Sequence, residues 1–163
     1  GSHMKIYIQP LSVNSHTVEV LANSLPKIFN AEVFVLPASD VSLKCYNASR
    51  RQYNSTCILR MLPPIKVTLG VTGKDIYAKG MNFVFGEAEL GGARAVLSVF
   101  RLTTADSELY RERVVKEAVH EIGHVLGLKH CSNNCVMRFS NSVQDVDRKP
   151  VSFCRECASK IRY

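Results

Sequence analysis

Three histidines and one glutamate in the last third of the chain have the types and spacing to do chemistry together. They stand as His120-Glu121-x-x-His124-x-x-Gly127-x-x-His130. On a helix, positions 120 and 124 fall one turn apart on one face, so their imidazoles can share an ion. Glu121 lies about 100° around the helix from His120, off the metal but within reach of a water on it. Gly127 stands where a helix end needs a residue tolerant of positive φ, and a reversal there would return His130 to the same ion. Three imidazoles leave a fourth zinc position open, as catalytic sites require. Zinc lowers the pKa of bound water to about 7, and Glu121 would take the proton as general base and pass it to a leaving amine. The short His-Glu-x-x-His string arises by chance in roughly one such chain in a hundred, and adding Gly127 and His130 lowers that to the order of one in a hundred thousand.

Four of the six cysteines fall in two close pairs after this run, Cys131/Cys135 and Cys154/Cys157. The C-x-x-x-C and C-x-x-C spacings match a structural zinc. Disulfide pairing is the rival reading, disfavoured in a cytosolic chain outside hyperthermophiles. Because Cys131 directly follows His130, a zinc on these thiolates would anchor the loop that delivers the third histidine. Cys45 and Cys57 stay open between inert core residues, a disulfide and reactive thiols. His16 reads as a surface residue, and nothing in the spacing selects Tyr46, Tyr53 or Tyr77 as a hydroxyl source at the metal.

The run from His120 to His130, followed by Cys131, by Cys135-Val136-Met137 and by Cys154-Arg155-Glu156-Cys157, resembles the archaemetzincins, a branch of the metzincin metallopeptidases. Arg51-Gln52-Tyr53-Asn54-Ser55 and Asn82-Phe83-Val84-Phe85-Gly86 extend the likeness over most of the chain. The resemblance implies an α/β fold: a single zincin-like domain with a twisted mixed β-sheet over the active-site helix, and a C-terminal part, 131–157, built around a four-cysteine zinc. It implies two zinc ions, one catalytic and one structural, and hydrolysis of peptide bonds in a peptide or protein substrate. Met137 would be the methionine of the turn beneath the catalytic zinc, packing there without ligating it. In such folds an edge strand pairs with extended peptide, and 93–100 or the strand before it is the candidate. The chain departs from the family pattern by one residue fewer between Cys131 and Cys135, and one fewer between Met137 and the final pair. Some metzincins carry a metal-shell tyrosine two residues after the methionine; Phe139 stands there instead.

Elements that must position these residues can be read from periodicity. Residues 5–9 alternate as a first strand, and 15–29 follow as a helix with Val18, Leu21, Ala22, Leu25 and Phe29 at helical spacing. Strands are expected at 32–36, 65–71, 82–86 and 93–102, with a second helix over 49–62. The capping run 103–107 opens a long helix to about Leu126, with Val115, Ala118, Ile122, Val125 and Leu126 toward the core. Alternation early and a strand pair before the long helix fit an α/β domain with a mixed sheet.

Of the 163 residues, 46% are hydrophobic and 21% charged, ordinary globular usage for one domain. Residues 1–4 read as a tag remnant with an initiator methionine, which leaves 5–163 as the domain. No apolar run has the length of a membrane span and no secretory signal opens the sequence, so the expected compartment is the cytoplasm. The formal charge of +7 is scattered rather than arranged in a basic stripe, so no nucleic-acid partner is expected, and a monomer is. Two rival functions remain. One is a zinc-bearing peptide-binding module with little catalysis, against which Glu121 argues. The other is a cysteine zinc knuckle for nucleic acid, which the charge alone favours.

Overall fold

The computed structural model describes residues 4–161, so Gly1–His3 of the expected tag remnant lie outside the described residues, as do Arg162 and Tyr163. Its strands are β1 Met4–Leu11, β2 Ala31–Val35, β3 Tyr46–Asn47, β4 Gln52–Asn54, β5 Thr68–Thr72, β6 Ile76–Tyr77, β7 Gly86–Ala88 and β8 Arg94–Ser98. Its helices are α1 Ser15–Phe29, α2 Ser55–Met61, α3 Ser107–Val125, α4 Val143–Arg148 and α5 Arg155–Lys160.

Five strands form one sheet in the order β2-β1-β5-β8-β7, parallel except for β7, which runs antiparallel to β8. Alternation along the strands divides the core between the two faces. Ile6, Ile8, Leu69, Val71, Ala95 and Leu97 pack with residues of α1 and α3, among them Leu21, Leu25, Ala118 and Ile122. Leu11 and Val96 face the other way, toward Ile58, Leu59 and Leu62 of and beside α2. Burial of each such Leu or Ile contributes on the order of 1.5–3 kcal/mol. A small second sheet, β3-β4-β6, flanks α2.

The first helix spans the predicted residues, and Val115, Ala118, Ile122 and Val125 are buried as the periodicity requires. Other boundaries move. The helix expected over 49–62 begins only at Ser55, because Asn54 caps it by accepting from the Cys57 amide at 2.9 Å, and 52–54 form β4. The strand expected over 82–86 is instead Gly86–Ala88. Phe83 and Phe85 meet edge to face, with centroids 5.2 Å apart, and pack as side chains on irregular backbone. The strand expected over 93–102 stops at Ser98 and continues as a 3₁₀ turn, Phe100–Leu102. It also lies between β5 and β7, so 93–100 is not the edge. β7 holds that position.

Cys45 and Cys57 form a disulfide, with Cα atoms 5.4 Å apart, joining the turn before β3 to α2. Closing a loop of about this size restricts the unfolded chain by roughly 3 kcal/mol in the chain-entropy model. No helix among the described residues is long and apolar enough to cross a membrane.

A two-pronged ion pair ties α3 to α4. Arg113 donates from Nε and Nη2 to the two Asp147 carboxylate oxygens, each at 2.8 Å, and from Nη1 to the Leu102 carbonyl. The guanidinium holds the Asp147 carboxyl below its ordinary 3.8, outweighing partial desolvation. The lowered value makes the pair stabilising above pH 3.8, and that contribution is lost as pH falls through the folded-state value. Asp147→Asn should therefore unfold at lower urea than the parent at pH 7, with the gap closing in acid below 3.8. A gap that stays constant through the acid range would show that the carboxylate contributes nothing.

Candidate metal centre

Helix α3 starts at Asp106, whose carboxylate accepts from the Glu108 and Leu109 amides, both at 3.1 Å. It ends in a Schellman reversal. The Leu128 amide donates to the Gly123 carbonyl at 2.9 Å and the Gly127 amide to the His124 carbonyl at 3.0 Å. Gly127 sits at φ +102°, which a side chain would strain. The reversal turns the Leu128 carbonyl back onto the helix, where it accepts from His124 Nδ1 at 2.7 Å. The Val136 carbonyl accepts from His120 Nδ1 at 2.8 Å.

A carbonyl can only accept, so Nδ1 carries the proton on both rings and each Nε2 presents a lone pair. These two Nε2 atoms lie 3.1 Å apart. His130 arrives from beyond the reversal, and one nitrogen from each of the three rings falls within a 4.8 Å cluster that could hold a metal ion. Burial lowers the pKa of all three imidazoles, most strongly for His120, where the Lys149 ammonium adds to it. The rings are therefore neutral at pH 7, the form that binds metal.

Glu121 lines the same cleft, of about 430 Å³, beside His120 and His124. It is buried, and desolvation, helped by Glu117 and Glu87, raises its carboxyl well above 4.5. Among the described residues it makes no hydrogen bond or ion pair. Gly86 of β7 passes directly over it: a Cβ there would come within 2.6 Å of Glu121 Oε2 and 2.5 Å of the Val96 carbonyl oxygen. Glu87 also lines the cleft, but Ser55 and Thr56 hydroxyls hold its carboxylate at 2.6 and 2.9 Å.

Beneath the histidines, Met137 is fully buried and its sulfur packs where Gly123 lacks a side chain, so the helix and the turn meet closely. The four cysteines brace that turn from the far side. Cys135 Sγ accepts from the Met137 and Cys154 amides at 3.4 and 3.2 Å, and Cys154 Sγ from the Cys157 amide and Asn133 Nδ2. Their four sulfurs form a second cluster within 4.8 Å, with Cys131 and Cys154 Sγ 3.8 Å apart. Amide donation to sulfur favours thiolate, and the Asn133 and Cys157 donors lower the Cys154 thiol. Phe139 packs its ring 5.2 Å from that of His130 and offers the cluster no oxygen. Tyr46 and Tyr53 pack against each other with tilted rings and Tyr77 lies under Arg50; none of the three lines the cleft.

Sequence reasoning missed one buried pair. Lys149 Nζ lies 2.8 Å from Glu117 Oε2, both side chains almost wholly buried, and donates to the Arg138 carbonyl at 3.1 Å. The pair joins the turn after Met137 to the helix one turn before the histidines. Glu117 at i−3 from His120 hints at a shared face, but a partner 32 positions away (149 against 117) leaves no local signal.

A metal-ready histidine triad on a helix that reverses at glycine, above a methionine turn and under a mixed sheet with an antiparallel edge, defines a metzincin-type domain. The comparisons narrow this further. The model of Peptidase family M54 matches residues 49–163. The archaemetzincin of Methanocaldococcus jannaschii is 46% identical, covering 98% of this chain and 93% of that protein. The crystal structure of the Methanopyrus kandleri archaemetzincin superposes with a TM-score of 0.87 at 41% identity, over 98% of this chain and 93% of that one. A zinc-dependent peptidase from Methanocorpusculum labreanum gives 0.85 at 26% identity, over 96% and 100%. The chain belongs to Peptidase family M54, the archaemetzincins.

Removing one member of the buried Lys149–Glu117 pair strands the other charge, at a cost of about 3–5 kcal/mol. Lys149→Met should lower the thermal midpoint accordingly, and Glu117→Leu combined with Lys149→Met should recover most of the loss. A single variant as stable as the parent would show the pair to be dispensable.

Proposed function

We propose that the protein is a zinc-dependent peptidase whose catalytic ion is held by His120, His124 and His130, with Glu121 as general base. The observation that carries this reading is the pair of Nδ1–H···O=C bonds, which fix both helix imidazoles with their Nε2 lone pairs converging. Family membership and the relative described as a zinc-dependent peptidase support the same metal and reaction class.

Bound zinc supplies a Lewis acid that polarises a peptide carbonyl and acidifies water. Glu121, buried with its pKa raised, takes the proton of the attacking water and delivers it to the departing nitrogen. β7, the antiparallel edge over the cleft, offers backbone groups to an extended peptide. Phe83, Phe85 and Phe139 line the cleft and exclude water around the reacting bond. Cys131, Cys135, Cys154 and Cys157 would hold a second, structural zinc, and their thiolates would then fix the turn that carries the Val136 carbonyl.

Glu121→Gln should keep both zinc ions and lose about 10²–10⁴-fold in peptide hydrolysis. Undiminished hydrolysis would remove Glu121 from the mechanism, and zinc-loaded parent protein that binds peptides but cuts none would mark a binding module instead. Elemental analysis should find two zinc ions per chain. Cys154→Ser with Cys157→Ser should release one and weaken retention of the other, because His120 loses its braced carbonyl. One zinc in the parent, lost in that variant, would refute the histidine site.

A further inference from the structure

The edge strand β7 is three residues long, and its backbone alternates between two tasks. The Phe85 carbonyl accepts from the Ser98 amide at 2.8 Å and the Glu89 amide donates to the Arg94 carbonyl at 2.9 Å, so residues 85, 87 and 89 turn their peptide groups to β8. Gly86 and Ala88 therefore turn theirs to the open edge, beside the cleft that both line. Side chains alternate as well. Gly86 lies on the α3 side, where it passes over Glu121, and Glu87 reaches α2 on the other. There its carboxylate accepts from Ser55 Oγ at 2.6 Å and, at both oxygens, from Thr56 Oγ1 at 2.9 Å. Hydrogen bonds to an ionised acceptor are stronger than those between neutral groups. Their donors stand on a firm support. Asn54 caps α2, Ser55 is fully buried, and Cys57, directly after Thr56, is bonded to Cys45.

We propose that Ser55, Thr56 and Glu87 form a latch that sets the place of β7 over the cleft and thereby the affinity for an extended peptide, with Glu87 as a positioning residue that takes no part in the chemistry. The inference rests on the peptidase reading above, which gives β7 its peptide. Strand addition needs the outward amides and carbonyls of Gly86 and Ala88 held in line. A strand already fixed there loses little freedom when the peptide arrives. Without the latch, that ordering falls on the binding step. Affinity then drops for ligands that pair with the strand and stays for ligands that reach the metal alone.

Calorimetry on the zinc-loaded protein with two hydroxamates separates these cases, with no need for turnover. Acetohydroxamate reaches only the metal, whereas a tetrapeptide hydroxamate also extends along β7. Thr56→Val, which keeps the shape and removes the hydroxyl, should weaken the peptide compound about tenfold, the worth of one hydrogen bond to a charged group, and leave acetohydroxamate unchanged. Thr56→Ser should restore the parent affinity. Glu87→Ala, checked like the others for unchanged circular dichroism, should weaken the peptide compound at least as much. Adding Thr56→Val to it should cost nothing further, since the partner is already gone. In peptide hydrolysis both single variants should raise KM and keep kcat within about twofold of the parent. Unchanged peptide affinity in Thr56→Val and Glu87→Ala, or an equal loss for the two hydroxamates, would overturn the latch while leaving the metal site standing. Failure of acetohydroxamate to bind the parent would overturn the peptidase reading and the latch with it.

Discussion

Two carbonyl oxygens, those of Leu128 and Val136, govern this molecule. Each accepts the Nδ1 proton of one helix histidine, and in doing so decides which ring nitrogen is free and where it points. An imidazole on a bare helix face would rotate about two bonds and choose between tautomers. Here both freedoms are removed, and the two Nε2 atoms are brought to 3.1 Å. Nearly every distinctive local feature of the C-terminal third can be traced to holding these two acceptors. Gly127 allows the reversal that carries Leu128 back over α3. The cysteine cluster and the Lys149 bond to the Arg138 carbonyl hold the turn that carries Val136.

The two acceptors are secured by different means because they lie at different distances along the chain. Leu128 is four residues from His124, close enough for the helix's own ending to place it. Val136 is sixteen residues from His120, and no local motif reaches that far. Its segment is fixed from elsewhere in the chain by a bond from the Val136 amide to the Ser152 carbonyl, by the Cys154 amide donating to Cys135 Sγ, and by the buried ammonium of Lys149 on the Arg138 carbonyl. Gly123 and Met137 complete the fit, since the absence of a side chain on the helix admits the sulfur beneath the histidines. Cys131 ties the same turn to the third histidine, its amide donating to the Met137 carbonyl at 3.1 Å.

This division also explains what could be read from the sequence. The histidine spacing, Gly127 and the paired cysteines are local patterns with fixed offsets, and the structure brings together each set they define. Helix α1 and the buried arc of α3 were legible for the same reason, since periodicity is a local property. The strand at the cleft was not. Residues 83–85 have strand-forming side chains, yet the ladder begins at Gly86, because only a residue without a Cβ can pass over Glu121 and the Val96 carbonyl. A tertiary contact set that boundary. The Glu117–Lys149 pair and the Cys45–Cys57 disulfide were likewise products of packing, with nothing in their neighbours to announce them.

Three glutamates line one cleft, and their surroundings separate their roles more sharply than their positions do. Glu87 is occupied by the hydroxyls of Ser55 and Thr56, which α2 carries to the edge strand. Glu117 is occupied by an ammonium that cannot leave without stranding a buried charge. Glu121 alone has neither kind of partner, and burial together with its two acidic neighbours makes its ionised form costly. A carboxylate in that condition gains by taking up a proton and has nothing else to give up in doing so. The hydroxyls on Glu87 and the ammonium on Glu117 thus leave Glu121 as the one cleft glutamate without a partner among the described residues.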